Sequence, residues 1–161
     1  MTYKASLDRT AIIVTIVVSV LFAVIIGGQY AFIKDAGRSI PIYTTTACLI
    51  IYFLAFSFRT INYVVTDDEI IVRRPLFNVH ISRADIKSVD LIDKKEIRGS
   101  FRIAGVGGLF GYYGGFGNFS LGFMTWYVTR RDRPVLVKTI DNKKIIFSPD
   151  EPAKFVNELS V

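Results

Sequence analysis

The chain has 161 residues and a net charge of +6, and 51% of it is hydrophobic against 21% charged. That length suits one domain, or a small domain with an appendage, and the composition excludes a disordered chain. The single cysteine, Cys48, excludes a disulfide framework and a cysteine zinc site.

Residues 10–33 are a run of 24 without a charge, and residues 39–58 a run of 20. As helices they would be about 36 and 30 Å long, against a hydrocarbon core of about 30 Å. The sequence therefore predicts a tail over 1–9 and a two-helix transmembrane hairpin over 10–58, its helices at 10–33 and 39–58. The first run is too long for the apolar stretch of a secretory signal and lacks a small-residue cleavage site after it. The link Lys34-Asp35-Ala36-Gly37-Arg38 is so short that the helices must be antiparallel neighbours, with both outer ends on one side. Ser39 is placed to cap the second helix, with Pro41 in its first turn. Lys4, Arg9 and Arg59 flank the terminal side and Lys34 and Arg38 the loop side, so positive charge leans towards cytoplasmic termini. Thr15, Ser19, Ala23 and Gly27 fall at successive i+4 steps. Such a small-residue stripe suits close helix packing, either within the hairpin or between copies in a homo-oligomer. Neither run contains a charge, which argues against an ion or proton path.

From residue 59 onward the pattern turns to strands. Ile61, Tyr63 and Val65 alternate, Thr66-Asp67-Asp68 makes a turn, and Ile70 and Val72 share a face. Val79–Ser82 is a short strand, residues 83–86 a turn, and Val89 and Leu91 alternate again. Met124, Trp126 and Val128 alternate with Thr125, Tyr127 and Thr129. Residues 135–140 and 143–147 flank Asp141-Asn142, a strong hairpin signal. Ser148-Pro149-Asp150-Glu151 reads as a capping box with proline at the first helical position, followed by an apolar stripe of Ala153, Phe155, Val156 and Leu159. The reading is about seven short antiparallel strands in a bent sheet or open barrel, closed by a C-terminal helix.

Residues 103–129 carry no charge, and nine of the twelve glycines lie between Gly99 and Gly122. A dinucleotide fingerprint fails because Phe110 stands where the third glycine belongs, and a phosphate loop fails for want of Gly-Lys-Ser/Thr. A third membrane helix would contain too much glycine. The segment reads as a long flexible connection whose rings either fold back as core or form a contact surface. The tether of Arg59 and Thr60 holds the domain against the bilayer, and charge-free aromatics suit the headgroup interface. Leu109, Phe110, Tyr112, Tyr113 and Phe116 are accordingly predicted to contact membrane or a partner.

Strand order and size are those of the pleckstrin-homology fold, and the chain resembles bacterial PH-domain proteins that carry a transmembrane hairpin before the domain. The resemblance rests on Tyr63-Val64-Val65-Thr66-Asp67-Asp68-Glu69-Ile70-Ile71-Val72, on the glycine-aromatic stretch, and on Ile146-Phe147-Ser148-Pro149-Asp150-Glu151-Pro152 leading to Phe155. It implies a PH-like domain over 59–161, a location in the bacterial inner membrane and an interaction role, with no reaction. The acidic turn Asp67-Asp68-Glu69 stands where phosphoinositide-binding PH domains are basic, so inositol-phosphate binding does not carry over.

Residues 59–161 carry 16 basic and 12 acidic side chains. Lys94, Lys95, Arg98 and Arg102 form one basic cluster, and Arg130, Arg131 and Arg133 another; both are candidates for anionic lipid headgroups. His80 alternates outward on its strand, and no nucleophile–base pair or metal-ligand cluster stands out. The sequence thus predicts a membrane-anchored interaction or scaffold module with no catalytic residue, cofactor or metal. Its partners would be the bilayer, anionic headgroups, or a membrane or cytosolic protein. Nucleic acid is excluded by the lack of any known module and by the membrane anchor. A headgroup sensor and an accessory subunit of a membrane enzyme or transporter are the alternatives.

Overall fold

A computed structural model of the chain describes residues 1–32 and 39–160. Helices α1 (Arg9–Phe32) and α2 (Ser39–Ser57) pack side by side. Both are long and apolar enough to cross a membrane, and the rest of the chain leaves them largely uncovered. The Lys34–Arg38 link and the side chain of Ser39 fall outside the described residues.

The described residues form ten strands in two sheets, which do not close into a barrel. The first sheet runs β1 (Thr2–Lys4), β2 (Asn62–Val65), β3 (Glu69–Arg73), β4 (Val79–Ser82), all antiparallel. The second contains β5 (Ile86–Leu91), β6 (Phe101–Gly108), β7 (Gly111–Asn118), β8 (Gly122–Val128), β9 (Val135–Thr139) and β10 (Lys144–Phe147). Its spatial order is β5-β9-β10-β8-β7-β6, with β10 and β8 parallel. A short helix α3 (Lys94–Ile97) links β5 to β6, and α4 (Pro152–Leu159) ends the described chain.

The seven strands read from the sequence are β2–β5 and β8–β10. The other three correct it. Thr2–Lys4, within the segment read as a tail, pairs with β2 across both helices, Tyr3 facing Tyr63. The glycine-aromatic stretch, expected as a flexible connection, is the hairpin β6–β7, paired onwards to β8. The physical reason is cross-strand cover. A Cβ on Gly117 would touch Ile103 and Phe101, and one on Gly115 would touch Phe123, so neighbouring side chains occupy the room glycine leaves. Gly105 faces Gly114 in register, and a Cβ on either would run into the backbone opposite.

The C-terminal helix also starts later than the capping box implies. α4 begins at Pro152, its N-cap Glu151 makes no side-chain cap bond, and Ser148 is fully buried. The capping box lies at α3 instead, where Asp93 Oδ1 accepts from the Lys95 N–H at 2.8 Å and Glu96 Oε1 from the Asp93 N–H at 3.3 Å.

β9 and β10 are buried on both faces and divide two cores. Val135, Val137, Ile145 and Phe147 point to a core shared with Tyr63, Val65, Ile70, Val72 and Phe155. Leu136 and Ile146 point to the other, with Tyr112, Phe116, Met124, Trp126, Ile97 and Ala11 at the base of α1. Strands covered on both sides read as unbroken apolar runs, which is what Val135-Leu136-Val137 and Ile145-Ile146-Phe147 are.

A basic cleft beside the membrane helices as candidate functional site

The tip of the β6–β7 hairpin is wedged against the helix pair. Phe110 adopts a φ of 58° there, and its N–H donates to Thr15 Oγ1 at 2.9 Å. Its ring meets Tyr52 at 5.1 Å and Phe56 at 5.6 Å, edge to face. The Tyr113 hydroxyl donates to the Ala55 carbonyl, and burial pushes that hydroxyl well above its usual range. On the other side Asp8 caps α1, accepting from the Ala11 N–H at 2.7 Å, while its own N–H donates to the Thr129 carbonyl at 3.1 Å. The domain is therefore seated on both helices.

Four of the five residues predicted to face outward, Phe110, Tyr112, Tyr113 and Phe116, are buried within the chain. This corrects the expected contact surface. The glycines give a strand rather than a loop, and alternation along β7 sends Tyr112 and Phe116 into a core and Tyr113 against α2. Leu109, partly exposed, lines a groove beside the helices. Large apolar side chains exposed here are Phe101 and Ile103 on β6, Phe119 in the β7–β8 turn and Phe123 on β8. Of the stripe on α1, Thr15 and Ser19 face inward, Ser19 Oγ lying 2.8 Å from the Tyr52 hydroxyl, while Ala23 and Gly27 are exposed.

The basic residues regroup. A cleft of about 850 Å³ lies between α3 with its following turn and the face of β7 and β8. Lys94 and Lys95 come to it from α3, Arg98 from the turn after it, Arg102 from β6 and Arg131 from beyond β8, with the α3 cap Asp93 also in the lining. Its wall is Tyr112, Phe116 and Trp126, the last two stacked at 4.2 Å. Trp126 is only 2% exposed, and its Nε1 has no partner among the described residues. None of Lys94, Lys95, Arg98 and Arg102 forms an ion pair among the described residues. Arg131 lies 4.5 Å above the Tyr112 ring, its Nε 4.0 Å from Asp8 Oδ2. The Tyr112 hydroxyl donates to Asp8 at 3.2 Å; burial first, and then the Asp8 carboxylate, hold it above its ordinary pKa and so protonated.

Sequence clustering joined Arg130, Arg131 and Arg133, and the fold separates them. Arg130 grips Asp132 with two hydrogen bonds of 2.6 and 2.7 Å and reaches Asp150 at 3.3 Å, so its charge is spent locally. Arg133 is exposed outside the cleft. Asn118, which the sequence did not single out, fixes the cleft's far end: its Nδ2 donates to the Glu96 carbonyl at 2.7 Å and to Ser100 Oγ at 3.1 Å. Its signal was the turn it closes, where Asn118 Oδ1 accepts from the Leu121 N–H at 2.6 Å.

Four exposed cations without carboxylate partners, beside a wall of rings, attract an anion. His80 sits away from it, exposed, its Nδ1 2.9 Å from Glu69. Among the described residues no group of three His, Cys, Asp or Glu is placed to hold a metal ion.

No curated protein and no solved structure matches the chain in the comparisons made with them. The family model for the bacterial PH domain matches residues 61–161, more than half of the chain and every strand after β1. With the sheet order, the terminal helix and the preceding apolar helix pair already in place, the chain belongs to the bacterial PH-domain family.

Proposed function

We propose that this protein is a membrane-anchored interaction module whose basic cleft holds an anionic lipid headgroup at the cytoplasmic face of the bacterial inner membrane, without catalysing a reaction. The observation that carries the reading is the convergence of Lys94, Lys95, Arg98, Arg102 and Arg131 on one cleft whose rim includes the residue contacting Asp8, the cap of α1. A helix of 24 residues starting there supports a cleft at headgroup level. Each cation near an anionic leaflet contributes about 1 kcal/mol. Cytoplasmic orientation follows from Lys4, Arg9 and Arg59 on the domain side of the helices. The uncovered face bearing Phe101, Ile103 and Phe123 gives the same module a surface for a protein partner.

The test uses the full chain, because β1 lies before the helices and an excised 59–161 would lack it. Full-length protein in dodecyl maltoside is offered phosphatidylglycerol or phosphatidylcholine, and bound lipid phosphorus per chain is measured. Phosphatidylglycerol is retained preferentially, less so as salt rises. The Lys95→Gln, Arg98→Gln, Arg102→Gln variant loses at least about tenfold of that preference while keeping the parent melting point. Equal retention of the two lipids by the parent chain would sink the reading.

A further inference from the structure

The structure carries a second cavity, mainly apolar where the cleft is basic, with Arg74 and Arg102 as its charged lining residues. A groove of about 640 Å³ runs between the helix pair and the β6–β7 hairpin, with Val14 and Val18 of α1, Ile51 and Leu54 of α2, and Leu109 at the hairpin tip among its walls. Arg102 and Gly107 line both the groove and the cleft. The two cavities therefore meet across one residue pair on β6.

Gly107 is informative because nothing in the backbone demands glycine there. It has no positive φ, unlike Gly105 and Gly108 on either side. A Cβ at 107 would meet only the Arg102 side chain, at 3.8 Å. Any larger side chain at this position would stand in the junction. With glycine there, no side chain stands between the two cavities at this position.

We infer that cleft and groove are a single site for one amphiphile: an anionic phospholipid whose headgroup phosphate lies among Lys95, Arg98 and Arg102 and whose acyl chain lies in the groove against α1 and α2. This rests on the headgroup reading above and adds the rest of the ligand. Three observations commit the groove to an acyl chain. It shares Arg102 and Gly107 with a cationic pocket, which suits an occupant with a charged end. It is walled by two helices whose apolar length matches a bilayer, so a chain enters sideways from the lipid phase. Arg102 stands at the boundary, where a phosphate joins its apolar tail.

The experiment separates the two claims. Binding of dioleoyl-phosphatidylglycerol, sn-glycerol 3-phosphate and inorganic phosphate to the full chain is measured in dodecyl maltoside. The lipid should bind at least about 100-fold more tightly than either soluble anion, because it alone buries methylenes. In Val18→Trp, and independently in Leu54→Trp, both of which line the groove and not the cleft, lipid affinity should fall to within about tenfold of that for sn-glycerol 3-phosphate, while sn-glycerol 3-phosphate itself binds as before. Lipid and soluble anion binding the parent chain equally well would overturn the single site and leave the headgroup reading standing, with a free anion as the cleft's ligand. Full lipid affinity in both variants would overturn it in the same way. Failure of all three ligands to bind the parent would remove the headgroup reading itself. The parent-chain comparison decides the matter even if a variant does not fold.

Discussion

Ser148 shows how one side chain changes meaning when the residues around it are known. Its Oγ accepts from the Thr129 N–H at 2.8 Å and lies 3.2 Å from the Thr129 hydroxyl, while its N–H donates to the Tyr63 hydroxyl at 3.2 Å. Tyr63 in turn donates to the Tyr127 carbonyl at 2.5 Å. Complete burial pushes the Tyr63 hydroxyl up to about 12, so it remains a donor throughout the physiological range. A serine three residues before a glutamate reads in sequence as a cap, because local spacing is all that sequence offers. Here the donors it satisfies come from a different strand. Ser148→Ala should therefore still destabilise the protein, by about 1–3 kcal/mol, through a buried N–H left without its acceptor. Thermal unfolding of the full chain, followed by Trp126 fluorescence, checks this. A loss of helix content at unchanged melting point would instead place Ser148 at the helix.

At the scale of elements, legibility followed the kind of interaction that makes each element. The helix pair was readable because apolar length alone defines it, and the observed bounds fall within a residue of those expected. β9 and β10 were readable from β-branched runs around Asn142, whose φ of 61° makes the turn. β6 and β7 were not, because their stability comes from residues across the ladder, Phe101, Ile103 and Phe123, rather than from their own glycines. A period-2 alternation was nevertheless present in Tyr112, Gly114, Phe116 and Asn118, with rings and glycine sharing one face. The basic site was half legible. The α3 cluster was contiguous in sequence, but Arg131 reaches the cleft only because the sheet folds β8 beside β7. α3 itself has four residues and depends on its cap. Asp93→Ala should loosen that turn by about 1 kcal/mol, speed amide exchange at Glu96 and Arg98, and weaken phosphatidylglycerol retention several-fold with little change in overall melting. Unaltered exchange and retention would show that Asn118 alone holds the segment.

At the scale of the molecule, three carboxylates near chain crossings set the acid limit. Asp150 is raised by burial but lowered more by hydrogen bonds from the Ser6 N–H at 3.0 Å, the Ser6 hydroxyl at 2.6 Å and Arg130, ending below 3.8. Asp132 is lowered mainly by its hydrogen bonds from Arg130. Asp141 is lowered to about 2 by Lys143 and Thr139. A folded-state pKa below the unfolded one adds stability above the unfolded value, and that stability is lost as pH falls through the folded one. The melting temperature should therefore drop progressively from about pH 5 down to about pH 2. Asp150→Asn should flatten part of that slope; an unchanged slope would mean Asp150 is not among the carboxylates responsible.

The pairing of β1 with β2 also bears on how the chain is made. Lys4 lies opposite Asn62, and both helices are synthesised between them. At about 5–20 residues per second, β1 waits roughly 3–12 s for its partner strand. During that interval α1 and α2 must both enter the bilayer in the arrangement proposed above. If either helix inserts the wrong way round, Thr2–Lys4 and the rest of the first sheet end on opposite sides and Tyr3 never reaches Phe155. Completion of the first sheet thus requires that both ends of the helix pair emerge on one side, and a chain in which a single helix misinserts is left with an open β2 edge.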